Sequence, residues 1–261
     1  MALIELTADM TAQEQRETIN ANESYVERAG GWTAVNETLT YSAADAPSYT
    51  VTVPGDLTGT LYAGVKIKLT HAAATKYFIV TAASYSSPNT TLTLYGGTDY
   101  TLADTAISGV YYSTAKAPAG FPLDPAKWSV EAVSTSPESQ ATPTQNTVYT
   151  FGTLVVPIGS WRVGWYATAY PQRAAAGILD QECGLSSINT GFDTPKLNAA
   201  CYVSNDFGIL STMHRETPLT ITTKKTYYML AQTSQTTNTS IGFYVTAAHG
   251  YKVLYAVCAY L

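Results

Sequence analysis

The hydrophobic period of the chain changes once, near Trp32. Before that point the pattern is helical. Thr11-Ala12-Gln13-Glu14 has the form of a capping box, in which the threonine oxygen accepts from a free N–H and the glutamate reaches back. Neither Gly nor Pro follows until Gly30-Gly31, which suits a helix end. These signals predict a helix over about Thr11 to Ala29. Its apolar face is thin: Ala12, Ile19 and Val26 recur every seven residues, with Gln15, Asn22 and Ala29 at the companion spacing. A stripe so narrow does not stabilise an isolated helix. It predicts a partner for the helix, either the chain's own β-structure or symmetry-related copies in a short three-stranded bundle.

From Trp32 onward the period is two. Glu37 to Tyr41, Tyr49 to Val53, Val65 to Leu69, Lys76 to Ala82, Thr90 to Tyr95 and Ile107 to Ser113 alternate or read as apolar runs. Turn residues separate them: Asp45-Ala46-Pro47, Pro54-Gly55-Asp56, Ser86-Ser87-Pro88-Asn89 and Gly96-Gly97-Thr98-Asp99. In Val65-Lys66-Ile67-Lys68-Leu69 the lysines are expected to point outward, and Gly96-Gly97 is expected to close a hairpin. This spacing predicts a small β-sandwich or barrel over residues 31–133. Residues 134–146 contain no large apolar residue and two prolines, which predicts a linker.

A second β-unit is expected over residues 147–261, with eight or nine strands, a jelly-roll number. The expected strands include Trp161 to Tyr170, Leu185 to Ile188, Gly208 to Met213, Leu219 to Thr222 and Thr226 to Gln232, with Ala174-Ala175-Ala176-Gly177 as a flexible break. The closing run, Val253 to Leu261, is hydrophobic without a polar tail. It is therefore expected to be buried on both faces, between sheets or at a subunit interface. The fold class is thus mainly β: residues 1–30 as an N-terminal helical anchor, a small β-module, then a jelly-roll-like sandwich.

Composition agrees. Charged residues make up only 13% of the 261, while Tyr alone numbers 20. Helices need Glu, Lys and Arg on their outer faces, whereas strands use Thr, Ser and Tyr. The net charge of −5 is concentrated at the start, where residues 1–30 hold six carboxylates against Arg16 and Arg28. No basic run tracks phosphates, which excludes nucleic acid as an expected partner. No apolar stretch approaches the roughly 20 residues of a membrane span, and the first residues lack a signal-peptide pattern, so membrane insertion is not expected.

Candidate chemistry is sparse. His71, His214 and His249 lie in separate elements without zinc-ligand spacing, so no metal or cofactor is expected. Cys201, Asp206 and His214 could be assembled into a thiol triad only by a geometry the sequence does not supply. Asp180-Gln181-Glu182 with Asp193 is the acidic cluster from which a glycosidase pair would be drawn. Cys183 and Cys201 are either free buried thiols or one bridge. On a strand, Trp161, Val163 and Trp165 share one face, expected to be core, and Arg162, Tyr166 and Tyr170 the other. Tyr166, Tyr170 and Arg173 are therefore the candidate ligand or subunit surface, and no catalytic residue is assigned.

The opening Met1-Ala2-Leu3-Ile4, Leu6-Thr7-Ala8-Asp9-Met10-Thr11 and Ile19-Asn20-Ala21-Asn22 resembles that of tail and particle-surface proteins of tailed phages and prophages. The region from Trp32 to Trp128 resembles a β-module recurrent in those proteins, through Tyr62-Ala63-Gly64-Val65-Lys66-Ile67-Lys68-Leu69, Lys76-Tyr77-Phe78-Ile79-Val80, Thr91-Leu92-Thr93-Leu94-Tyr95-Gly96-Gly97-Thr98-Asp99-Tyr100 and Lys116-Ala117-Pro118-Ala119-Gly120-Phe121-Pro122. The second half, from Pro157-Ile158-Gly159-Ser160-Trp161-Arg162-Val163 to Leu254-Tyr255-Ala256-Val257, is similar in architecture to trimeric jelly-roll heads of fibre and decoration proteins. The resemblance implies a non-enzymatic virion protein, made in the host cytoplasm. The thin stripe Ala12, Ile19 and Val26 is the expected contact to other virion proteins or between copies. That stripe and the apolar closing run predict a homotrimer, whose expected role is binding a host-surface glycan or decorating the particle. An adaptor or baseplate role and a glycan-degrading virion enzyme are the alternatives.

Overall fold

The computed structural model describes Thr7, residues 10–245 and residues 250–261; the side chains at 23–29, 205 and 206 lie outside that description. The chain divides into two compact units, residues 1–127 with 260–261, and residues 128–259.

The first unit opens with α1 (Ala12–Ala29). Its capping box forms as the sequence predicts. The Thr11 N–H donates to Glu14 Oε2 at 2.7 Å and the Glu14 N–H to Thr11 Oγ1 at 3.3 Å. The Thr11 contacts hold the Glu14 carboxyl below its ordinary value. Seven strands follow: β1 (Thr33–Ala34), β2 (Thr40–Asp45), β3 (Ser48–Pro54), β4 (Lys66–His71), β5 (Ala74–Ser86), β6 (Asn89–Tyr95) and β7 (Ile107–Ser113). They form one antiparallel sheet in the order β1-β7-β4-β5-β6-β3-β2. A single sheet has no second layer to cover its apolar face. Yet Val51, Val53, Ile67, Leu69, Phe78, Val80, Leu92 and Leu94 are all fully buried in one cluster. The sheet therefore curls around its own core towards a barrel.

Two local expectations fail here. Gly96-Gly97 does not close a hairpin, because β6 pairs with β5 and β3 while the next strand, β7, pairs with β4 and β1. The glycines instead begin the crossover to the far side of β4. Lys66 is buried rather than outward, its Nζ donating to the Tyr260 carbonyl at 2.9 Å. Lys68 lies over the rings of Trp32 and Tyr111, 5.2 and 4.4 Å from their centroids. Alternation marks which residues share a face but not how far a long amphipathic stem can lie along the sheet.

The second unit is a jelly roll. Its strands are β8 (Ser129–Ser134), β9 (Glu138–Ala141), β10 (Tyr149–Val156), β11 (Gly159–Ala169), β12 (Gln172–Ser186), β13 (Asn198–Gly208), β14 (Ser211–Ile221), β15 (Lys225–Gln232), β16 (Asn238–Phe243) and β17 (Lys252–Cys258). Eight of them pair as two four-stranded antiparallel sheets. One runs β8-β17-β11-β14 and the other β10-β15-β12-β13. In chain order these eight strands alternate between the sheets except at the β12–β13 hairpin, which stays within one sheet, as in a jelly roll. The short strands β9 and β16 pair with each other, and β16 also touches β12 and β11, bridging the two sheets at one corner.

The unit begins earlier than its apolar content suggests. Residues 129–133 were expected to close the first module, but they form β8 against β17. The expected linker 134–146 contains β9, hydrogen bonded to β16. Pairing uses backbone groups, so the polar sequence Glu138-Ser139-Gln140-Ala141 is no obstacle to an outer strand. Ala174-Ala175-Ala176-Gly177 lies inside β12 instead of breaking it, and Leu185–Ile188 is not a separate strand. Pro218 separates two expected strands that are in fact one, β14, which among the described residues pairs with β11 alone. A proline is tolerated there because an edge strand can lose one donor to solvent.

The core between the sheets is built from alternating positions. Trp161, Val163 and Trp165 on β11 face inward beside Cys258, Ala256 and Leu254 of β17. Leu179, Cys183, Leu185, Tyr227 and Met229 are buried in the opposite sheet. The tryptophans are core residues, as the sequence indicates. The last strand is central in its sheet, so its outward residues Val253, Tyr255 and Val257 remain half-buried.

One loop is held by a single carboxylate. Asp193 accepts from Ser186 Oγ at 2.7 Å, the Ser187 N–H at 2.8 Å, the Ser187 hydroxyl and Thr194 Oγ1 at 3.0 Å. Burial alone would raise its pKa, but these donors hold it down to about 2. Because the folded value lies below the unfolded one, the stabilisation is present above about pH 4 and is lost as pH falls through about 2. The group is partly exposed, so after discounting for solvent screening the contribution is about 1 kcal/mol. Asp193→Asn is expected to lower stability by that amount at pH 7, with the difference from wild type vanishing near pH 2 in urea titrations.

Candidate functional site

The outward face of the β8-β17-β11-β14 sheet carries a side-chain network that spans three strands. Arg162 of β11 grips Glu216 of β14 with two donors, Nε to Oε1 at 3.0 Å and a terminal nitrogen to Oε2 at 3.1 Å. Tyr255 of β17 donates its hydroxyl to Glu216 Oε2 at 3.1 Å, and His214 Nε2 lies 2.7 Å from the same hydroxyl. A phenol has one proton. With that proton given to Glu216, the oxygen accepts from His214, which fixes Nε2 as the protonated ring nitrogen.

The register explains how these residues meet. Gly164 lies directly opposite Tyr255 on one side and Glu216 on the other. Tyr255 crosses β11 over this position: a Cβ at Gly164 would sit 2.6 Å from its hydroxyl oxygen and 2.7 Å from Cζ. Glycine is therefore required at 164 by close approach, not by backbone conformation. The hydrogen bonds from Arg162 hold the Glu216 carboxyl below its ordinary value against the effect of burial, with Tyr255 and His214 adding to the pull. Glu216 in turn raises the Arg162 guanidinium. Burial, with the adjacent Glu216 carboxylate, pushes the Tyr255 phenol up to about 12. The network is therefore an ionised, charge-balanced pair with a neutral phenol between His214 and Glu216.

Tyr166 sits on this same face, directly opposite His214. The other two residues of the expected surface engage different neighbours. Tyr170 lies beyond the end of β11, packs on Tyr244 at 5.1 Å and accepts from Gln172 at 2.8 Å. Arg173 turns back on its own strand, donating to the Ile178 carbonyl at 2.6 Å over Gly177. Only Tyr166 belongs to the network face. His214, Glu216 and Tyr255 were not assigned from sequence to any surface. The two-residue spacing of His214 and Glu216 marks a shared strand face, but nothing in the sequence sets the register that brings Tyr255 to them.

A second feature is a cleft of about 430 Å³ where the edges β8 and β10 approach, lined by Val133, Glu138, Phe151, Gly152, Lys252 and Leu254 among others. Lys252 is buried there. It donates to Glu138 Oε2 at 2.6 Å and to the Phe151 carbonyl, with the Phe243 ring 5.7 Å away. Burial lowers its pKa, against the opposing pull of Glu138. This ion pair fastens β9 across the cleft.

The remaining candidates have structural partners. Asp180 accepts from Thr233 Oγ1 at 2.6 Å and the Ser234 N–H at 2.9 Å, and Glu182 accepts from Gln232 at 2.7 Å. Cys183, Cys201 and Cys258 are buried thiols, and no Cys183–Cys201 bridge forms. Burial pushes the Cys201 thiol up to about 11 and the Cys183 thiol well above its ordinary value. Such thiols are poor nucleophiles at neutral pH. Of the thiol triad, the Asp206 side chain lies outside the described residues, as does His249. Among the described residues no group of three or more His, Cys, Asp or Glu is gathered as a metal site, and no helix is long and apolar enough to cross a membrane.

On α1, Ala12 and Ile19 are exposed, Ile19 at 42%, while Thr18 is buried and Gln15 and Asn22 half-buried. Val26 lies outside the described side chains. The helix thus turns its polar companion positions inward and leaves the apolar positions Ala12 and Ile19 uncovered in the single chain.

No protein-family model and no curated protein matches this sequence. Among solved structures, the VP2 subviral particle of infectious bursal disease virus is similar over 85% of this chain and 58% of that one, with 12% identity and a TM-score of 0.34. The T=1 particle derived from the same virus covers 90% and 78%, with 12% identity and a TM-score of 0.29. The cycloalternan-forming enzyme of Listeria monocytogenes covers 84% and 20%, with 10% identity and a TM-score of 0.19. The chain spans less than two thirds of the first of these. At such TM-scores the likenesses carry no argument, and the jelly-roll assignment rests on the strand pairing itself.

Proposed function

We propose that this chain is a non-enzymatic structural protein of a tailed-phage virion, held to the particle by its N-terminal segment and displaying the jelly roll for host attachment or decoration. The observation that carries the reading is the jelly-roll pairing of residues 129–258, joined in one chain to a β-module whose motifs resemble those of phage particle proteins. The carboxylates available for a glycosidase pair, Asp180, Glu182 and Asp193, are each engaged by loop or cross-strand donors, which weighs against the enzymatic alternative. Repeated copies on a particle would turn weak single contacts into firm adhesion.

Assembly as a homotrimer through α1 accounts for the exposed Ile19. Ile19→Asp places a charge on that stripe at an exposed position of α1. It is expected to shift the full-length protein from trimer to monomer in sedimentation velocity, with unchanged far-UV circular dichroism. A wild-type monomer, or a trimer that survives the substitution, overturns this part of the reading. Incorporation is tested by deleting residues 1–30, which should abolish appearance of the protein in imaged particles. A second reading, an adaptor joining other virion proteins, is favoured by one observation: edge strand β13 exposes Tyr202 and Phe207 at 64% and 60%.

A further inference from the structure

The network on the outer sheet face has a shape that its hydrogen bonds alone do not require. The rings of His214 and Tyr255 are inclined by only 11°, with centroids 6.2 Å apart. They are also joined edge to edge, Nε2 to the phenol oxygen, at 2.7 Å. A separation of 6.2 Å is close to the largest that this short bond permits, so the rings lie side by side in one plane and not one above the other. One side of the Tyr255 ring rests on the backbone at Gly164, where a methyl group would not fit. The Tyr255 side chain is half-buried, and His214 beside it is exposed.

We propose that this plate is a saccharide-binding site, with the coplanar His214 and Tyr255 rings stacking against the C–H face of a neutral hexopyranose and the Arg162–Glu216 pair contacting its hydroxyls. A pyranose is amphipathic in this sense: one face offers C–H groups, and the rim offers hydroxyls that both donate and accept. The plate matches both. Its face is aromatic, and its rim presents guanidinium donors beside carboxylate acceptors, fixed by mutual pairing before any ligand arrives. Tyr166, opposite His214, lies on the same sheet face, with its hydroxyl end beside Gly250. A nucleic-acid base would also stack, but its phosphate would meet a charge-balanced rim on a chain of net charge −5. The inference deepens the reading of the jelly roll as the target-binding part of the particle, and rests on that reading only for where the sugar is found.

The test uses the full-length protein and methyl β-D-glucopyranoside, methyl β-D-galactopyranoside and methyl α-D-mannopyranoside, with adenosine monophosphate as the competing class. Saturation-transfer NMR is expected to show transfer from protein to the ring C–H protons of at least one glycoside. His214→Ala, at an exposed position, should weaken binding by about tenfold, the scale of one lost aromatic contact. Gly164→Val should displace Tyr255 and abolish the transfer. Lys224→Ala, outside the network, should leave it unchanged. No transfer to any of the three glycosides overturns the site, as does equal transfer in wild type and His214→Ala, or transfer to the nucleotide alone. A protein that binds no sugar but still enters particles separates failure of this inference from failure of the virion reading.

Discussion

Replacing Trp165 by alanine is expected to destabilise the jelly roll by about 3–5 kcal/mol, the cost of deleting a fully buried large aromatic. Two effects combine. The cavity lies between the sheets, walled by strands whose pairing on both sides of β11 limits collapse. The indole Nε1–H also donates to the Leu197 carbonyl at 2.6 Å, an acceptor that loses this partner. Chemical denaturation followed by far-UV circular dichroism should show the loss at unchanged m-value, because the surface exposed on unfolding is nearly the same. A change below 1 kcal/mol would mean that Trp165 does not fill the core.

Gln181→Leu is the second large effect, about 2–3 kcal/mol, although the substitution makes the core more apolar. Gln181 is fully buried, and its side-chain amide acts as a substitute peptide. Its Nε2 donates to the Gly242 carbonyl at 3.0 Å and its Oε1 accepts the Gly242 N–H at 2.9 Å. The carbonyl keeps a second donor in the Tyr170 N–H, but the Gly242 N–H loses its partner. Because β16 joins the two sheets at that corner, hydrogen exchange should rise first across residues 238–243 and the paired β9, ahead of the central strands. Uniform protection across the molecule would count against this role for Gln181.

The difference between these two residues shows what the sequence could and could not disclose. Trp161, Val163 and Trp165 alternate with Arg162 and Tyr166, and period two alone assigns them to opposite faces. The capping box at Thr11 and Glu14 was equally legible, since all its partners lie within three residues. Gln181 looks like one polar residue in an acidic triplet, and its role depends on a partner 61 residues away in the chain. The start of the jelly roll was hidden for a related reason. β8 is one short strand set next to polar, proline-containing sequence, and what makes it part of the domain is its ladder with β17, near the opposite end of the chain. Local pattern reports faces and turns; it carries no information on which distant edge a strand will join. The site suffered most from this, because Arg162, His214, Glu216 and Tyr255 come from three strands.

The network at Gly164 has a mechanical side. β14 and β17 are not hydrogen bonded to each other; β11 lies between them. Tyr255 reaches across β11 to Glu216 and His214, and Arg162 ties the middle strand to the same carboxylate. These side chains form a cross-tie perpendicular to the strands. A pulling force on the last strand is thereby shared among three strands instead of being borne by one ladder that opens bond by bond. Any side chain at position 164 would cut that tie and would also press on the Arg215 carbonyl of β14.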